Sequence, residues 1–594
     1  MSKPSRVKKK FKSSASFIKE RLNNSVLLII SLIYTNVIIW LSFVLFTLDL
    51  KSQWLLFFIW LLSLTGLFII FLKGTKIPHI NKHLLYRFIA ITLLALLTRF
   101  FYLDDYPFPT IGDMVRDGGW DAAKLARGEI ENIFGYCRYQ SHSYIISTLL
   151  IPLHALFGDT DMTFKAGAAL ISILDIWVVF FIGEFFFKKN VGFWASLILI
   201  ASHLHLFYAR TEIVVISSSI IVSILILSLL SIWKSYSLKK LLIISLLIGF
   251  SFNFHSAIKP VAFLVLGFSS LIACNHYIKE KSLMKIIFSM ICVIIFILIG
   301  FGPRFIYTTP DIFLNTKRIT VTKDDPDIDF STKVSEKYKT MSDNYQKSLM
   351  IYFYEDSQSH YAYGAPLVPF SFGLFFIYAI VEWIRKRRSG LILIPFFFLI
   401  PFTNSAITDI INADHRTTLL LSFTSLAVAS GFVSLYNFKI SNTYTKLAFR
   451  MILIFFISIN LLWSTFTFFD KEYANKTVKE EETTQVFLLT YASELLNKDI
   501  SSSNVCINSS ETNYKVFDLM HFKEQFLYTN PDKTVELNIL DSLMDEEKIY
   551  ITNECVDEIN EADYVLFSPC EKRRKFVCPK YSSNLNIFIH KKLN

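Results

Sequence analysis

Residues 101–143 read FYLDDYPFPTIGDMVRDGGWDAAKLARGEIENIFGYCRYQSHS. An apolar run precedes them, and Asp104, Asp105, Asp113, Asp117 and Asp121 follow in close succession. A helix starting near Met114 would set Asp113, Asp117 and Asp121 four apart, on one face. Gly118 and Gly119 oppose that helix by about 1 kcal/mol each. They would also let a substrate come close to the backbone. The stretch reads either as a solvated loop between two membrane helices or as an acidic site at a membrane edge. The rest of the chain favours the second.

The chain has 594 residues, of which 53% are hydrophobic and 58 are Phe. Its mean hydropathy is +0.43. A soluble protein of this length does not average apolar, and repeated runs of about 20 apolar residues mean a polytopic helical membrane protein. The net charge of +11 does not point to nucleic acid. The basic residues sit in short clusters between apolar runs, as the positive-inside rule expects. The run 26–46 is too long for a signal-peptide core and reads as a retained helix.

Membrane helices are expected at 26–46, 53–72, 85–102, 164–187, 192–208, 213–233, 241–253, 257–275, 284–302, 366–385, 390–403, 416–436 and 450–469. The run 144–157 is short for a span and reads as a helix lying at the outer interface. With that parity the basic segments KGTKIPHINKH (73–83), KSYSLKK (234–240), NHYIKEKSLMK (275–285) and EWIRKRRSG (382–390) all fall inside. The N-terminus is then cytoplasmic. The loops 103–143 and 303–365 and the C-terminal tail are external. Counting 144–157 as a span would invert everything after it. The expected division is 1–84, an N-terminal tail and two extra helices; 85–470, the membrane domain; and 471–594, a small soluble α/β domain.

In the tail, KEEETTQVFLLTYASELLNKD has helical period. SNVCINS, TVELNIL, EKIYIT, ADYVLFS and NIFIHK read as short strands. Cys506, Cys555, Cys570 and Cys578 lie there and suit up to two disulfides, with three pairings open. Cys137 lies in the acidic loop, and Cys274 and Cys292 lie in or beside membrane runs. No CxxC pair suggests zinc. The sequons at Asn475 and Asn508 would face outside.

Charged residues recur at the external membrane edges: Arg210 and Glu212, His255 and Lys259, Arg304 and Arg318, His360 beside Tyr363, and Asp414, His415 and Arg416. Each alone is an ordinary interfacial anchor. Together, several cations and one acidic loop share a side, as a cavity handling a phosphate and a hydroxyl requires. Arg meets phosphate through paired hydrogen bonds and Lys as a point charge. A carboxylate can take the proton of an attacking hydroxyl. Asp325, Asp327, Asp329 and Glu336 have calcium-loop spacing, but Phe330 stands where that loop needs Gly and Pro326 intrudes. No Walker-type phosphate loop is present, which argues against an ATP-driven pump, and no Ser-His-Asp arrangement is legible.

These pieces, in this order, resemble the membrane-embedded C-type (GT-C) glycosyltransferases that use polyprenyl-phosphate sugars. Within them the chain is similar to the protein O-mannosyltransferase and lipid A aminoarabinose transferase group. The pieces are PTIGDMVRDGGWDAAKLARGE, the helix ending Leu156-Phe157-Gly158, HLFYARTE, GFSFNFHSAIKP, GPRFIYTTPDIFLNTKRITV, YAYGAP and ADHRTTLLLSFTSLAVASGF. The resemblance covers about 85–436 and implies an inverting transferase with a carboxylate base. The family's acidic pair has its first member best matched by Asp113, from its distance to Arg127-Gly128-Glu129. Met114 replaces the second member, so Asp117 and the pair Asp104–Asp105 are rivals. The family's Lys-Pro-Pro segment has no clean copy, and Arg138 or His142 occupies its region. Lys259 and Arg416 match basic positions of the later motifs.

The expectation is therefore transfer of a sugar from a polyprenyl-phosphate donor to a hydroxyl of a protein, lipid or cell-surface glycan, outside the plasma (inner) membrane. Asp113 or Asp117 is the base. Arg138, Lys259, Arg210 and Arg416 face the donor phosphate, and Glu212, His255, His415 and His142 line the cavity. No cofactor is implied beyond the lipid-linked donor, with a divalent metal left open. Two other classes stand beside this one. A lipid-linked glycan flippase would show charges inside spans and repeated halves. A non-catalytic assembly protein could keep the same fold.

Overall fold

The computed structural model describes residues 26–46, 48–73, 81–103, 121–128, 130, 132–135, 142–157, 161–211, 213–308, 330–354, 366–387, 389–403 and 414–482, and the strands of the tail. Two compact units divide the chain. One comprises 1–81, 130–143 and 224–317, and the other 82–129, 144–223 and 318–594.

The first unit opens with the helices Val26–Leu45 and Leu50–Leu72. Asp49 caps the second by accepting from the Ser52 amide at 3.1 Å, and Ser52 holds its carboxyl below the ordinary range. The helix pair is tied to Leu283–Phe301, because Trp60 Nε1 donates to the Ile299 carbonyl at 2.9 Å. That helix stops at Gly302, whose φ of +70° suits glycine and which lies against the Trp60 ring. Helices Leu238–Ser251 and Leu283–Phe301 approach closely. A Cβ on Gly249 or Gly300 would strike the carbonyl of Ile297 or Leu246. The ring of Phe134 sits among Phe43, Phe57 and Trp60, with centroids 5.0, 5.9 and 5.8 Å away. Beside it the Ile133 amide donates to Gln53 Oε1 at 3.0 Å. The two leading helices are thus integral to this unit and hold the start of segment 130–143.

The second unit is built on the helix Leu421–Tyr436, which carries small residues throughout. The candidate span His415–Tyr436 is 94% buried over its most apolar window. It packs on Gly373–Lys386 and Val191–Ala201, and Gly431 lies against the Phe375 carbonyl. Helix Asp161–Phe186 packs on Val191–Ala201 and on Lys82–Phe100. Ion pairs join the basic ends. Arg87 meets Glu184 at 2.8 Å, and Lys188 and Lys386 both meet Glu382.

Every run expected to cross the membrane is helical. Among the described residues, nine helices are long and apolar enough to cross. The other four, Val191–Ala201, Leu238–Ser251, Gly373–Lys386 and the stretch Ser389–Pro401, are short for a span. The run 192–208 breaks at Ser202 into Val191–Ala201 and His203–Tyr208. Irregular backbone at such depth is tolerated where protein buries it, and residues 198–209 are buried. The run 144–157 forms a 3-10 turn, Ser147–Leu149, and the helix Ile151–Phe157.

The helix Thr443–Glu482 continues from the last apolar run into the polar tail. All five expected strand segments form strands: Ser502–Ser509 (β1), Thr534–Asn538 (β3), Lys548–Ile549 (β5), Tyr564–Ser568 (β6) and Phe588–Lys592 (β8). Tyr514–Lys515 (β2), Met544–Asp545 (β4) and Phe576–Val577 (β7) add to them. The main sheet runs β3-β1-β6-β8-β7, with β1 parallel to β3 and β6, and β8 antiparallel to β6 and β7. The helix expected at 480–500 lies, past Glu482, outside the described residues, as do the tail cysteine side chains.

Candidate functional site

Asp104, Asp105, Asp113, Asp117, Arg138, Glu212, Arg318, His360 and Tyr363 lie outside the described residues. Asp121 opens the short helix Asp121–Arg127 and is buried. The calcium-spaced aspartates also lie outside, and Glu336 falls within the helix Phe330–Met350.

In the first unit, three chain segments meet at Asn253. Its carbonyl accepts from the Ser143 amide at 3.1 Å and from Arg304 Nη1 at 2.9 Å. Its side-chain amide donates to the Phe301 carbonyl at 3.3 Å. His142, next to Ser143, is fully buried. His255 is half-buried and accepts from the Ala257 amide through Nδ1. Lys259 opens the 21-residue helix Lys259–Lys279 and is only 9% exposed. It lies close enough to Arg304 for the two charges to repel. Lys259, a buried cation at a helix N-terminus where the backbone dipole is positive, makes a setting for an anion such as phosphate, with the charge of Arg304 nearby. Of these residues, the sequence placed Lys259, His142 and His255 in the site. Arg304 had appeared only as an edge charge, and Asn253 not at all.

In the second unit, Arg210 is fully buried. Its Nη1 donates to the carbonyls of Thr98 and Arg99 at 2.9 and 3.1 Å. Its Nη2 donates to those of Phe101 and Tyr102 at 2.8 and 2.7 Å. These carbonyls end the helix Lys82–Phe100, where an α-helix leaves acceptors unmet. The guanidinium also lies over the Phe469 ring, 5.4 Å from its centroid. Sequence position suggested a phosphate ligand, whereas the geometry is that of a helix cap. Arg416 is buried at the start of the central helix, and His415 beside it is half-buried.

A buried chain of charge runs close by. Arg99 Nη2 meets His205 Nδ1 at 2.7 Å, and His205 Nε2 meets Asp175 Oδ2 at 3.3 Å. Asp175 accepts from Ser219 and Ser223 at 2.7 and 2.6 Å, and Ser223 meets Ser422 at 2.8 Å. Arginine only donates, so His205 Nδ1 carries the lone pair and Nε2 the proton that faces Asp175. The imidazole is neutral, and the buried charges of Arg99 and Asp175 balance. The reading of edges passed over all three. Asp175 in the middle of an apolar run was the available signal, since an ionisable group inside a span is costly without a partner.

A cavity of about 20 Å³, room for a water-sized group, lies at the Ser202 break, lined among others by Leu199, Ser202, Val368, Leu421 and Ser464. His203 is its one ionisable lining residue, and the space is too small for a phosphate. Among the described residues, no group of three or more His, Cys, Asp or Glu is placed to hold a metal ion.

No family model matches the sequence, and neither does any curated protein. Solved structures do match. ArnT from Cupriavidus metallidurans in the apo state aligns with a TM-score of 0.53 at 9% identity, over 85% of this chain and 97% of that one. The fold is that of ArnT. A second structure of ArnT, bound to undecaprenyl phosphate, aligns with a TM-score of 0.48 at 10% identity, over 86% of this chain and 98% of that one. The chain is a multi-pass membrane protein of the GT-C fold, and the likeness to ArnT extends well beyond the 85–436 region that carried the sequence resemblance.

Proposed function

We propose that the protein is a membrane glycosyltransferase that moves a sugar from a polyprenyl phosphate to a hydroxyl acceptor on the external face. The observation that carries this reading is the ArnT fold, spanning 85% of the chain. The acidic loop after helix 82–100 and the Lys259–Arg304 cation pair supply the chemistry that such a transfer needs.

In this mechanism the carboxylate of Asp113 takes the proton of the acceptor hydroxyl. The oxygen attacks the anomeric carbon from the face opposite the phosphate. The bond from that carbon to the phosphate oxygen breaks, and its electron pair leaves with the lipid phosphate. One displacement inverts the centre. Lys259 and Arg304, with Arg138 and Arg416, stabilise the charge developing on the phosphate. Arg210 is left out of that set, because both its terminal nitrogens already serve carbonyls. Asp117 is the rival base. The tail domain is external and caps or guides the acceptor.

The buried Arg99–His205–Asp175 chain favours a second reading, a lipid-linked glycan transporter, since charge inside spans is a transporter's mark. The charges of Arg99 and Asp175 offset each other through His205, so the transferase reading stands first.

Glycolipid and glycoprotein profiles of cells with and without the gene test the proposal. A glycan should vanish on deletion, return with the wild-type chain and stay absent with Asp113→Asn and Asp117→Asn combined. Restoration by that double variant would overturn the carboxylate mechanism. An unchanged profile on deletion would overturn the transferase reading.

A further inference from the structure

The helix Gly373–Lys386 buries Phe375, Ala379, Glu382 and Trp383. Its other face is bare. Leu374, Ile377, Val381 and Ile384 are each more than half exposed, as is Phe370 in the 3-10 turn before them. Their spacing sets the four in one stripe along the helix. The stripe ends in cations. Lys386 meets Glu382 at 2.6 Å, and Lys188, just past the helix Asp161–Phe186, meets the same carboxylate at 2.9 Å. Lys188 also donates to Ser434 at 2.7 Å. One buried carboxylate thus ties three helix ends together and takes up both lysines. Arg385 and Arg387 are exposed and, among the described residues, make no ion pair and no side-chain hydrogen bond. Arg387, three residues after Ile384, closes the helix with a φ of +46°, its amide on the Ile384 carbonyl at 3.4 Å. Glycine is usual at such a cap, and a side chain there is strained. A cation stands at the end of the stripe despite that strain.

The helix has 14 residues, a rise of about 21 Å, against a hydrocarbon core of about 30 Å. Its basic end therefore lies at the level of lipid headgroups rather than beyond them. Four cations, Lys188, Arg385, Lys386 and Arg387, stand there against the one carboxylate of Glu382. An excess of positive charge at the end of an apolar stripe complements a lipid with an anionic headgroup, and guanidinium groups take phosphate oxygens in pairs. We propose that this face binds an anionic phospholipid, its phosphate on Arg385 and Arg387 and an acyl chain along Ile384, Val381, Ile377 and Leu374. A zwitterionic lipid brings a cation of its own and gains less from the two arginines. The site shares no residue with the donor site proposed above and does not depend on the transferase reading.

Native mass spectrometry of the full-length protein in detergent, titrated with phosphatidylglycerol or with phosphatidylcholine, tests this. The wild type should hold one phosphatidylglycerol about 10-fold or more tighter than phosphatidylcholine. Arg385→Gln with Arg387→Gln should weaken phosphatidylglycerol by about 10–30-fold, the scale of two basic residues at an anionic lipid, and leave phosphatidylcholine unchanged. Arg385→Lys with Arg387→Lys should keep part of the preference, since Lys meets phosphate as a point charge. Lys239→Gln with Lys279→Gln, which removes two exposed cations of the other unit, should change nothing. If the glutamine pair does not accumulate, Arg387→Gly removes a charge, relieves the cap and is read by the same titration. Equal binding of the two lipids by the wild type overturns the proposal, and so does undiminished phosphatidylglycerol binding by the arginine variants. Equal loss in the Lys239 and Lys279 pair would reduce the preference to overall charge and overturn it too. Phosphatidylglycerol found only on a dimer of the chain would give the stripe to a second copy instead.

Discussion

Arg210 donates to the main-chain carbonyl of Arg99 at 3.1 Å, while the Arg99 side chain meets the imidazole of His205 five residues before Arg210. Two cations this close are tolerable only because each is absorbed. Arg210 spends its charge on carbonyl dipoles and an aromatic face. Arg99 is balanced through neutral His205 by Asp175.

That balance predicts the cost of breaking it. Asp175→Asn leaves Arg99 buried without its anion, and removing one partner of a buried pair costs about 3–5 kcal/mol. Thermal unfolding in detergent should show a large drop in midpoint. Arg99→Met combined with Asp175→Leu should recover much of it, because replacing both partners leaves no charge unmet. A double variant no more stable than Asp175→Asn would mean that the two charges are not coupled.

The leading helix pair, which in sequence looked like an addition, should prove structural. Phe134→Ala empties the box made by Phe43, Phe57 and Trp60 and should cost about 3–5 kcal/mol, as for other large-to-small changes. Deleting residues 1–72 should leave a chain that does not accumulate in the membrane. Normal accumulation and melting of the deletion would refute this.

These cases show where the sequence was legible. Apolar runs such as 213–233 and 450–469 announced helices, because a segment of that length and composition has no other stable home than a bilayer or a core. The strands of the tail were legible from their β-branched and aromatic residues, as in ADYVLFS. The break at Ser202 was not, since Ser neither breaks nor favours a helix strongly by itself. The carbonyl contacts of Arg210 were hidden for a related reason. A sequence displays a charge but not the carbonyls that its fork will meet. Arg99, His205 and Asp175 lie far apart in the chain, so only folding joins them.

Lys259 should act on the donor. Removing a cation that stabilises a leaving phosphate typically costs about 10²–10³ in rate, so Lys259→Met should lower kcat/KM for the polyprenyl-phosphate sugar on that scale. A role confined to the donor would leave the melting midpoint in place. Activity and melting measured on one preparation check this. A parallel loss of both would make Lys259 a structural residue.

The topology drawn from the basic clusters predicts which cysteines an impermeant reagent reaches. Single cysteines introduced in 303–365 should label on intact cells, and cysteines in 234–240 only after lysis. The four tail cysteines, if external, should resist alkylation until reduced, and a disulfide there would contribute about 2–4 kcal/mol. Labelling of the 303–365 loop only after lysis would invert the model.

The acidic loop carries the sharpest expectation. Asp113 lies at the distance from Arg127-Gly128-Glu129 at which the resemblance places the base, and Arg116 offers it a bland alternative partner. The two roles differ in where the loss appears. A general base contributes about 10²–10⁴-fold to the rate, whereas a surface ion pair contributes about 0–1 kcal/mol to stability. Asp113→Asn should therefore keep expression, melting and donor binding while turnover falls by about two orders of magnitude or more. Asp117→Asn and Asp104→Asn, made in parallel, should lose less. If Asp117→Asn abolishes transfer and Asp113→Asn does not, the base sits one helical turn further along. If all three transfer sugar at the wild-type rate, no carboxylate of this loop among them takes the proton, and the base lies elsewhere.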